Sequence, residues 1–325
     1  MFRSKPKFLA TLALTGVMAF GIAACGGDDD SSSDGSSSSG DLSGTIKIDG
    51  SSTVAPLSEP IAELFQNENP DVKVTVGTSG TGGGFEKFCA GETDISDASR
   101  PIEADEEEAC ASEGIATTQL TVANDAMTVV VNQDNPVTCM TVDQLNQVWA
   151  PKSKLSNWSQ IDGLEPAFDE SLDLYGPGTD SGTFDYFTEA INGEEGASRS
   201  DYNNVGEDDN QTVTGVSGSK GGMGYFGFSF YQENADSLKA MEIDGGNGCV
   251  GPSAEAAQDG TYVPLSRGLF IYPSDEASKK PEVQAFLEFY LENVNQVAEQ
   301  AGFIPLTDAQ LTEANDALTS LESAS

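Results

Sequence analysis

The chain has 325 residues, with 15 Lys and Arg against 53 Asp and Glu, no histidine, and a formal net charge of −38. That balance excludes a nucleic-acid binder, which needs a basic footprint, and docking on anionic lipid by charge; it describes a strongly solvated acidic surface. The missing histidine excludes Ser-His-Asp and Cys-His nucleophilic machinery and His-ligated metals.

Residues 1–24 read as an export leader. Arg3, Lys5 and Lys7 form a basic start, and Phe8 to Ala24 is an apolar run too short for a comfortable membrane span. The run ends "IAAC", small residues directly before Cys25, the pattern in which cleavage leaves a lipidated cysteine as the N-terminus. The plainer alternative is an ordinary secretory leader with an incidental cysteine. Residues 25–43 follow as the lipidated Cys25 and a tether: Gly26 to Asp41 contains no apolar residue and cannot bury anything. A lipid anchor on a polar leash suits a domain held outside the cell, at the outer face of its membrane. No later apolar stretch is long enough to span a membrane.

About 280 residues remain, enough for two lobes with separate cores. One unit recurs along them: an alternating apolar run, a Gly/Ser/Thr turn, then an apolar stripe at helical spacing. "TIKI" (Ile46, Ile48) leads through "DGSSTVAP" to Leu57, Ile61, Leu64 and Phe65. "VKVTV" (Val72, Val74, Val76) leads through "GTSGTGGG" to Phe85, Phe88 and Cys89. A shorter unit has Ile95 in a brief strand, then Ser99-Arg100-Pro101, with Pro101 suited to a first helical position and the acidic run Glu103 to Glu108 to an early turn or a solvated face. "LDLYG" (Leu172, Leu174) leads through "PGTDSGT" to Phe184, Phe187 and Ile191. The switch from period 2 to period 3.6 after each turn predicts an α/β architecture with mainly parallel sheets.

"AMTVVVN" (126–132) and "GLFIYP" (268–273) read as buried strands, which in a two-lobed binder would be the two crossings between lobes. That places lobe I at residues 44–127 and 265–325 and lobe II at 128–264. Val283, Phe286, Leu287, Tyr290 and Leu291 share one stripe of a C-terminal core helix. Apart from Cys25 there are Cys89, Cys110, Cys139 and Cys249, for which three pairings exist. Cys89–Cys110 with Cys139–Cys249 is preferred, because Cys89 and Cys110 flank one compact segment. A metal site is disfavoured by the lack of CxxC spacing and of histidine, and no metal or cofactor is expected.

The Ser/Thr/Gly turns carry the chemistry. A helix N-terminus offers unpaired N–H groups and a partial positive charge, so it binds an anion without a cationic side chain. Glycine allows close approach, and hydroxyls add donors. Three such turns converging on a cleft could replace the hydration shell of a tetrahedral oxyanion, which reconciles an anionic ligand with a net charge of −38. The bland alternative for each turn is that Ser, Thr and Asp merely cap the helix. Competing motifs fail on spacing. No Gly-Lys-Ser/Thr follows Gly77, Phe85 stands where GxGxxG needs its last glycine, and Thr81 stands where GxSxG needs its final one.

Together "IDGSSTVAPL", "SGTGGGFEKFCAGETDISDASRPI", "YGPGTDSGTFDYF" and "GGMGYFGFSFYQEN" resemble the phosphate-binding lipoproteins of ABC phosphate importers, the PstS family, from Gly44 to about Leu306. The resemblance implies a type II periplasmic-binding-protein fold, two α/β lobes closing on inorganic phosphate. It also implies an ABC permease with its ATPase as partner, with the binder acting as a monomer and as no enzyme. It implies phosphate contacts from Ser52 and Thr53, from Ser79 and Thr81, and from Ser181, Gly182 and Thr183. Some members carry an Arg four residues before the Ser of "SGT"; here that position is Pro177, so Arg100 beside Ser99 is expected to supply the cation, the alternative being a structural ion pair. Some members place an Asp where Ser99 stands, to read the phosphate proton; here Asp97 and Asp180 are the candidates for that task or for orienting Arg100. The competing functions are a binder of sulfate, molybdate or arsenate on the same fold, a phosphate sensor, and a secreted phosphoester hydrolase using Ser79 or Ser181, which lacks an evident base.

Overall fold

The computed structural model describes residues 42–324; the leader, the lipidated Cys25 and most of the tether expected at the N-terminus lie outside the described residues. The first run is β1 (Gly44–Gly50), α1 (Ala55–Glu68), β2 (Val72–Gly77), α2 (Thr81–Cys89), β3 (Ile95–Ala98) and α3 (Ala104–Ser112), followed by the long β4 (Leu120–Asn132). The middle of the chain forms β5 (Cys139–Thr141), α4 (Val142–Trp149), β6 (Asp173–Gly176), α5 (Gly182–Asn192), β7 (Asn203–Asn204), α6 (Asp209–Gly218), β8 (Gly222–Gly227) and α7 (Phe228–Asn234). It continues through β9 (Leu238–Ala240), β10 (Glu242–Asp244), β11 (Cys249–Val250) and α8 (Ala254–Gln258), and β12 (Ser266–Pro273), α9 (Pro281–Gln300) and α10 (Asp308–Ala324) close it.

The expected strand–turn–helix units are β1–α1, β2–α2 and β6–α5, and their periodic residues do the packing. Ile46 and Ile48 of β1, Phe85 and Phe88 of α2, and Phe184, Phe187 and Ile191 of α5 are all buried. Leu64 departs from expectation: it is 43% exposed. The buried face of α1 is Leu57, Ser58, Ile61, Ala62 and Phe65, which leaves Leu64 on its rim. Helix α3 starts at Ala104, past Pro101, because Glu103 and Glu106 form a reciprocal capping box there.

Among the described residues the main sheet runs β2-β1-β3-β12-β4-β8-β6-β7, with β9 also on β4. β2, β1 and β3 are parallel at one end, and β8, β6 and β7 are parallel at the other. The two long strands expected to cross between lobes lie side by side in the middle, antiparallel to each other and to their outer neighbours. The sheet is therefore mixed, its parallel groups joined by an antiparallel centre.

β4 serves both ends. Leu120, Val122 and Ala123 belong to a core with β1, β2, α1, α9 and α10, whereas Met127, Val129 and Val131 belong to a second core with α4, α5 and β8. The disulfides are Cys89–Cys110, which ties the end of α2 to α3, and Cys139–Cys249, which ties β5 to β11 across a small separate sheet. This is the preferred pairing, and it occupies every cysteine of the described residues. Among those residues no helix is long and apolar enough to cross a membrane.

Candidate functional site

The turns after β1, β2 and β3 and the N-terminus of α5 open on one polar cavity of about 450 Å³. Ser52, Thr53, Ser79, Thr81, Ser99, Arg100 and Gly182 all line it. The capping alternative can be tested directly. None of α1, α2 and α5 receives a side-chain cap at its N-terminus: the N-cap residues of α1 and α2 are Val54 and Gly80, and Ser181 stands at that of α5 without making the bond. Away from the cavity, α4 and α8 are capped, by Thr141 and Ser253, and α6, α7 and α9 are not. The first N–H groups of α2 and α5 are thus left open where the cavity is, which is the arrangement an anion requires.

Close approach explains the glycines. A Cβ on Gly84 would lie 2.5 Å from the Gly50 Cα, and one on Gly50, at φ 147°, would lie 2.1 Å from the Asp97 carbonyl oxygen. Helix α2 can therefore start directly against the end of β1, and the Ser51 N–H bonds the Asp97 carbonyl at 2.8 Å. A Cβ at Gly182 would lie 3.6 Å from Thr53 Oγ1, an ordinary contact distance, so α5 begins beside the first turn without requiring glycine there for space.

The hydroxyls are committed in a defined way. The Ser79 hydroxyl and N–H donate to Asp49 at 2.5 and 3.1 Å, and the Lys87 ammonium donates to the same carboxylate at 2.6 Å. Partial burial opposes ionisation of Asp49, but Lys87 and the Ser79 donors outweigh it and hold the carboxyl below the usual carboxylate range. The Ser99 N–H donates to Thr81 Oγ1 at 3.2 Å, and the Thr81 and Ser99 hydroxyls share a 3.1 Å bond. Whichever of the two donates, the other's proton stays free for the cavity.

Arg100 lines the cavity, but its guanidinium is bidentate to Glu106 at 2.8 Å on both arms, with Nε 3.2 Å from Glu103. The hydrogen bonds that it donates to Glu106 raise its pKa further. Glu103 and Glu106, and neither Asp97 nor Asp180, orient this arginine. Asp97 is fully buried in β3 away from the cavity, and burial pushes its carboxyl up to about 8. Asp180 is exposed and does not line the cavity; nor do Ser181 and Thr183, which flank Gly182 at the start of α5.

Sequence reasoning missed a whole wall. Asp185, Tyr186 and Glu189 line the cavity with Gly182, at the i+3, i+4 and i+7 positions of one face of α5, and Glu195 and Arg267 join them. The helical spacing from Gly182 was the available signal for the first three. Burial raises the carboxyl pKa of Asp185 against the pull of Arg267, and raises that of Glu195 with help from Asp185 and Glu189. Arg267 stands in β12 opposite Asp125 of β4, to which its Nε donates at 3.1 Å. It also donates to Thr53 Oγ1 at 3.2 Å and stacks 3.6 Å over the Tyr186 ring.

A family model described as a PBP superfamily domain matches residues 35–294. The phosphate-binding protein PstS of Staphylococcus saprophyticus is 38% identical over 307 residues, covering 92% of each chain. This chain belongs to the PstS family. Protein SphX of Synechococcus elongatus is 48% identical to it over 272 residues, covering 83% of this chain and 80% of that protein. A crystal structure described as a possible phosphate binding protein from Planctomyces limnophilus is similar to this PstS-family chain with a TM-score of 0.82 at 46% identity, covering 86% of this chain and 99% of that one. The α/β architecture with its mixed sheet is that of this family's fold.

Proposed function

We propose that this chain captures inorganic phosphate in the cavity among its helix starts and delivers it, outside the cytoplasm, to an ABC permease and its ATPase. The observation that carries the reading is the meeting of the open N-termini of α2 and α5 with the Ser and Thr hydroxyls of the turns after β1, β2 and β3 on one polar cavity, in a chain of the PstS family. Of the expected residues, Ser79 gives both its N–H and its hydroxyl to Asp49, and Arg100 is held by Glu106 and Glu103; the ligand-contacting set is read as Ser52, Thr53, Thr81 and Ser99, with Ser181, Gly182 and Thr183 at the start of α5. These groups replace the hydration shell of the anion with fixed N–H and O–H donors.

The two hydrophobic cores are read as two lobes, residues 44–127 with 265–325, and 128–264, joined by β4 and β12. The lobes close over the ion like a hinged clamp, and the closed rim is what the permease engages before opening releases the ligand. No bond of the ligand is made or broken. Cys25 is the lipid anchor that holds the monomer at the outer face of the cell membrane, on the tether that follows it.

Titration calorimetry with phosphate, arsenate, sulfate and molybdate tests the ligand. Tight one-to-one phosphate binding is the expected result. Heat from sulfate or molybdate with none from phosphate would remove the specificity claim. A chromogenic phosphoester should release no leaving group.

A further inference from the structure

Arg100 and Arg267 both line the cavity, and their commitments differ. An arginine has five N–H donors. On Arg100, Nε faces Glu103, one arm serves Glu106 and the Pro101 carbonyl, and the other serves Glu106, so one N–H is uncommitted. Two carboxylates also surround its single charge. On Arg267, Nε serves Asp125 and one N–H serves Thr53, which leaves three N–H groups and a single carboxylate partner. The Tyr186 ring under the guanidinium fixes its plane, and Tyr186 is itself held by a 2.9 Å hydrogen bond from its hydroxyl to the Pro264 carbonyl. Because Thr53 Oγ1 accepts from Arg267, the Thr53 hydroxyl proton must point elsewhere, and the residue borders the cavity.

We propose that Arg267, in place of Arg100, is the cation that meets the bound anion, and that it also orients the Thr53 hydroxyl toward that anion. Arg267 lies on one central strand, pairs with the other, stacks on α5 and reaches the turn before α1, so it ties both central strands to two of the segments that line the cavity. A planar fork with three open donors suits an oxyanion; a lysine in its place keeps the charge and loses the fork, the stacking and the bond to Thr53.

The inference rests on the phosphate reading, and the experiment separates the two. Phosphate is titrated into the wild-type protein, Arg267→Lys, Arg100→Lys, Thr53→Val and the double variant Arg267→Lys/Thr53→Val. Absence of binding by the wild type defeats the phosphate reading itself. With wild-type binding in hand, Arg267→Lys is expected to weaken affinity by roughly 10- to 100-fold and Arg100→Lys by less than about threefold. The double variant is expected to lose less than the product of the two single losses, since each removes the same bond. Binding by Arg267→Lys within threefold of the wild type, or independent losses in the double variant, would overturn the proposal.

A second measurement does not depend on how the Arg267 variant folds. The chain has four arginines, so isotope-labelled arginine gives a sparse side-chain NMR spectrum, with Arg100 and Arg199 identified by their own Lys variants and Arg3 by a chain lacking the leader. Phosphate is expected to move the remaining signal, that of Arg267, more than that of Arg100. The opposite order contradicts the assignment of the cation.

Discussion

Asp97 offers the sharpest test of how burial shapes this protein. Its side chain is fully buried in β3 and neither carboxyl oxygen has a hydrogen-bond partner; the Ser58 hydroxyl beside it is paired with Tyr290 at 3.0 Å. Burial moves its pKa from 3.8 up to about 8, with Ser58 drawing it back and Asp49 adding to the rise. The folded protein keeps this proton where the unfolded chain has released it. Folding therefore takes up a proton between those two values. The associated stability is complete below pH 3.8, falls through the window and levels off above about 8. At about 1.4 kcal/mol per pH unit, up to about 4 kcal/mol is lost by pH 7. Asparagine has nearly the same shape and no proton to lose. Asp97→Asn is expected to match the wild type within about 1 kcal/mol at pH 4 and to exceed it by roughly 2–4 kcal/mol at pH 7. Urea unfolding at five pH values between 4 and 8 measures this. Subtracting wild type from variant cancels the other carboxylates. A difference that stays constant with pH, or that favours the wild type at pH 7, would refute the reasoning and mean that Asp97 folds ionised.

The carboxylates on the α5 wall make phosphate binding pH-dependent. Asp185 and Glu195 have raised pKa values, a bound anion raises them further, and binding takes up protons, so affinity should fall as pH rises through the range just above ordinary carboxylate values. Asp185→Asn should flatten that profile and tighten binding at pH 7 by roughly fivefold, measured by calorimetry across pH. Gly84→Ala puts a methyl group 2.5 Å from the Gly50 Cα and should cost about 1–3 kcal/mol while weakening phosphate binding, because the start of α2 must shift; unaltered stability and affinity would show that the contact is soft. Replacing Cys139 and Cys249 by Ala should destabilise by about 5 kcal/mol, and the same change at Cys89 and Cys110 by about 3 kcal/mol, because the first bridge spans 110 residues and the second 21. Equal losses in thermal or urea unfolding would argue against the chain-entropy account.

The four turns singled out in the sequence open on the cavity, three of them for a local reason that a sequence can display. A Gly/Ser/Thr turn between a period-2 run and a period-3.6 run places hydroxyls at the end of a strand, as at Ser52-Thr53, and open helix N–H groups as well at Ser79-Thr81 and Gly182. Arg100 was legible as a residue near the site, but its partners were not. Glu103 and Glu106 read as part of a solvated acidic run, and only the capping box that starts α3 turns both toward the guanidinium. Asp97 carries a candidate label in the sequence because it stands near Ser99. Strand alternation turns its side chain into the core, toward Ser58 of α1 and Tyr290 of α9.

By itself the sequence determined the repeated strand–turn–helix units, the buried stripes that pack them, the two central strands and the chemistry of the turns. Each of these depends on residues adjacent in the chain or one helical turn apart. Only the tertiary structure decided which groups share the cavity. Arg267 is 214 residues from Thr53 and 142 from Asp125, and it meets both because β12 lies antiparallel on β4 in a register that sets Arg267 opposite Asp125. A contact made by strand register between distant segments leaves no periodic trace in the sequence around either partner.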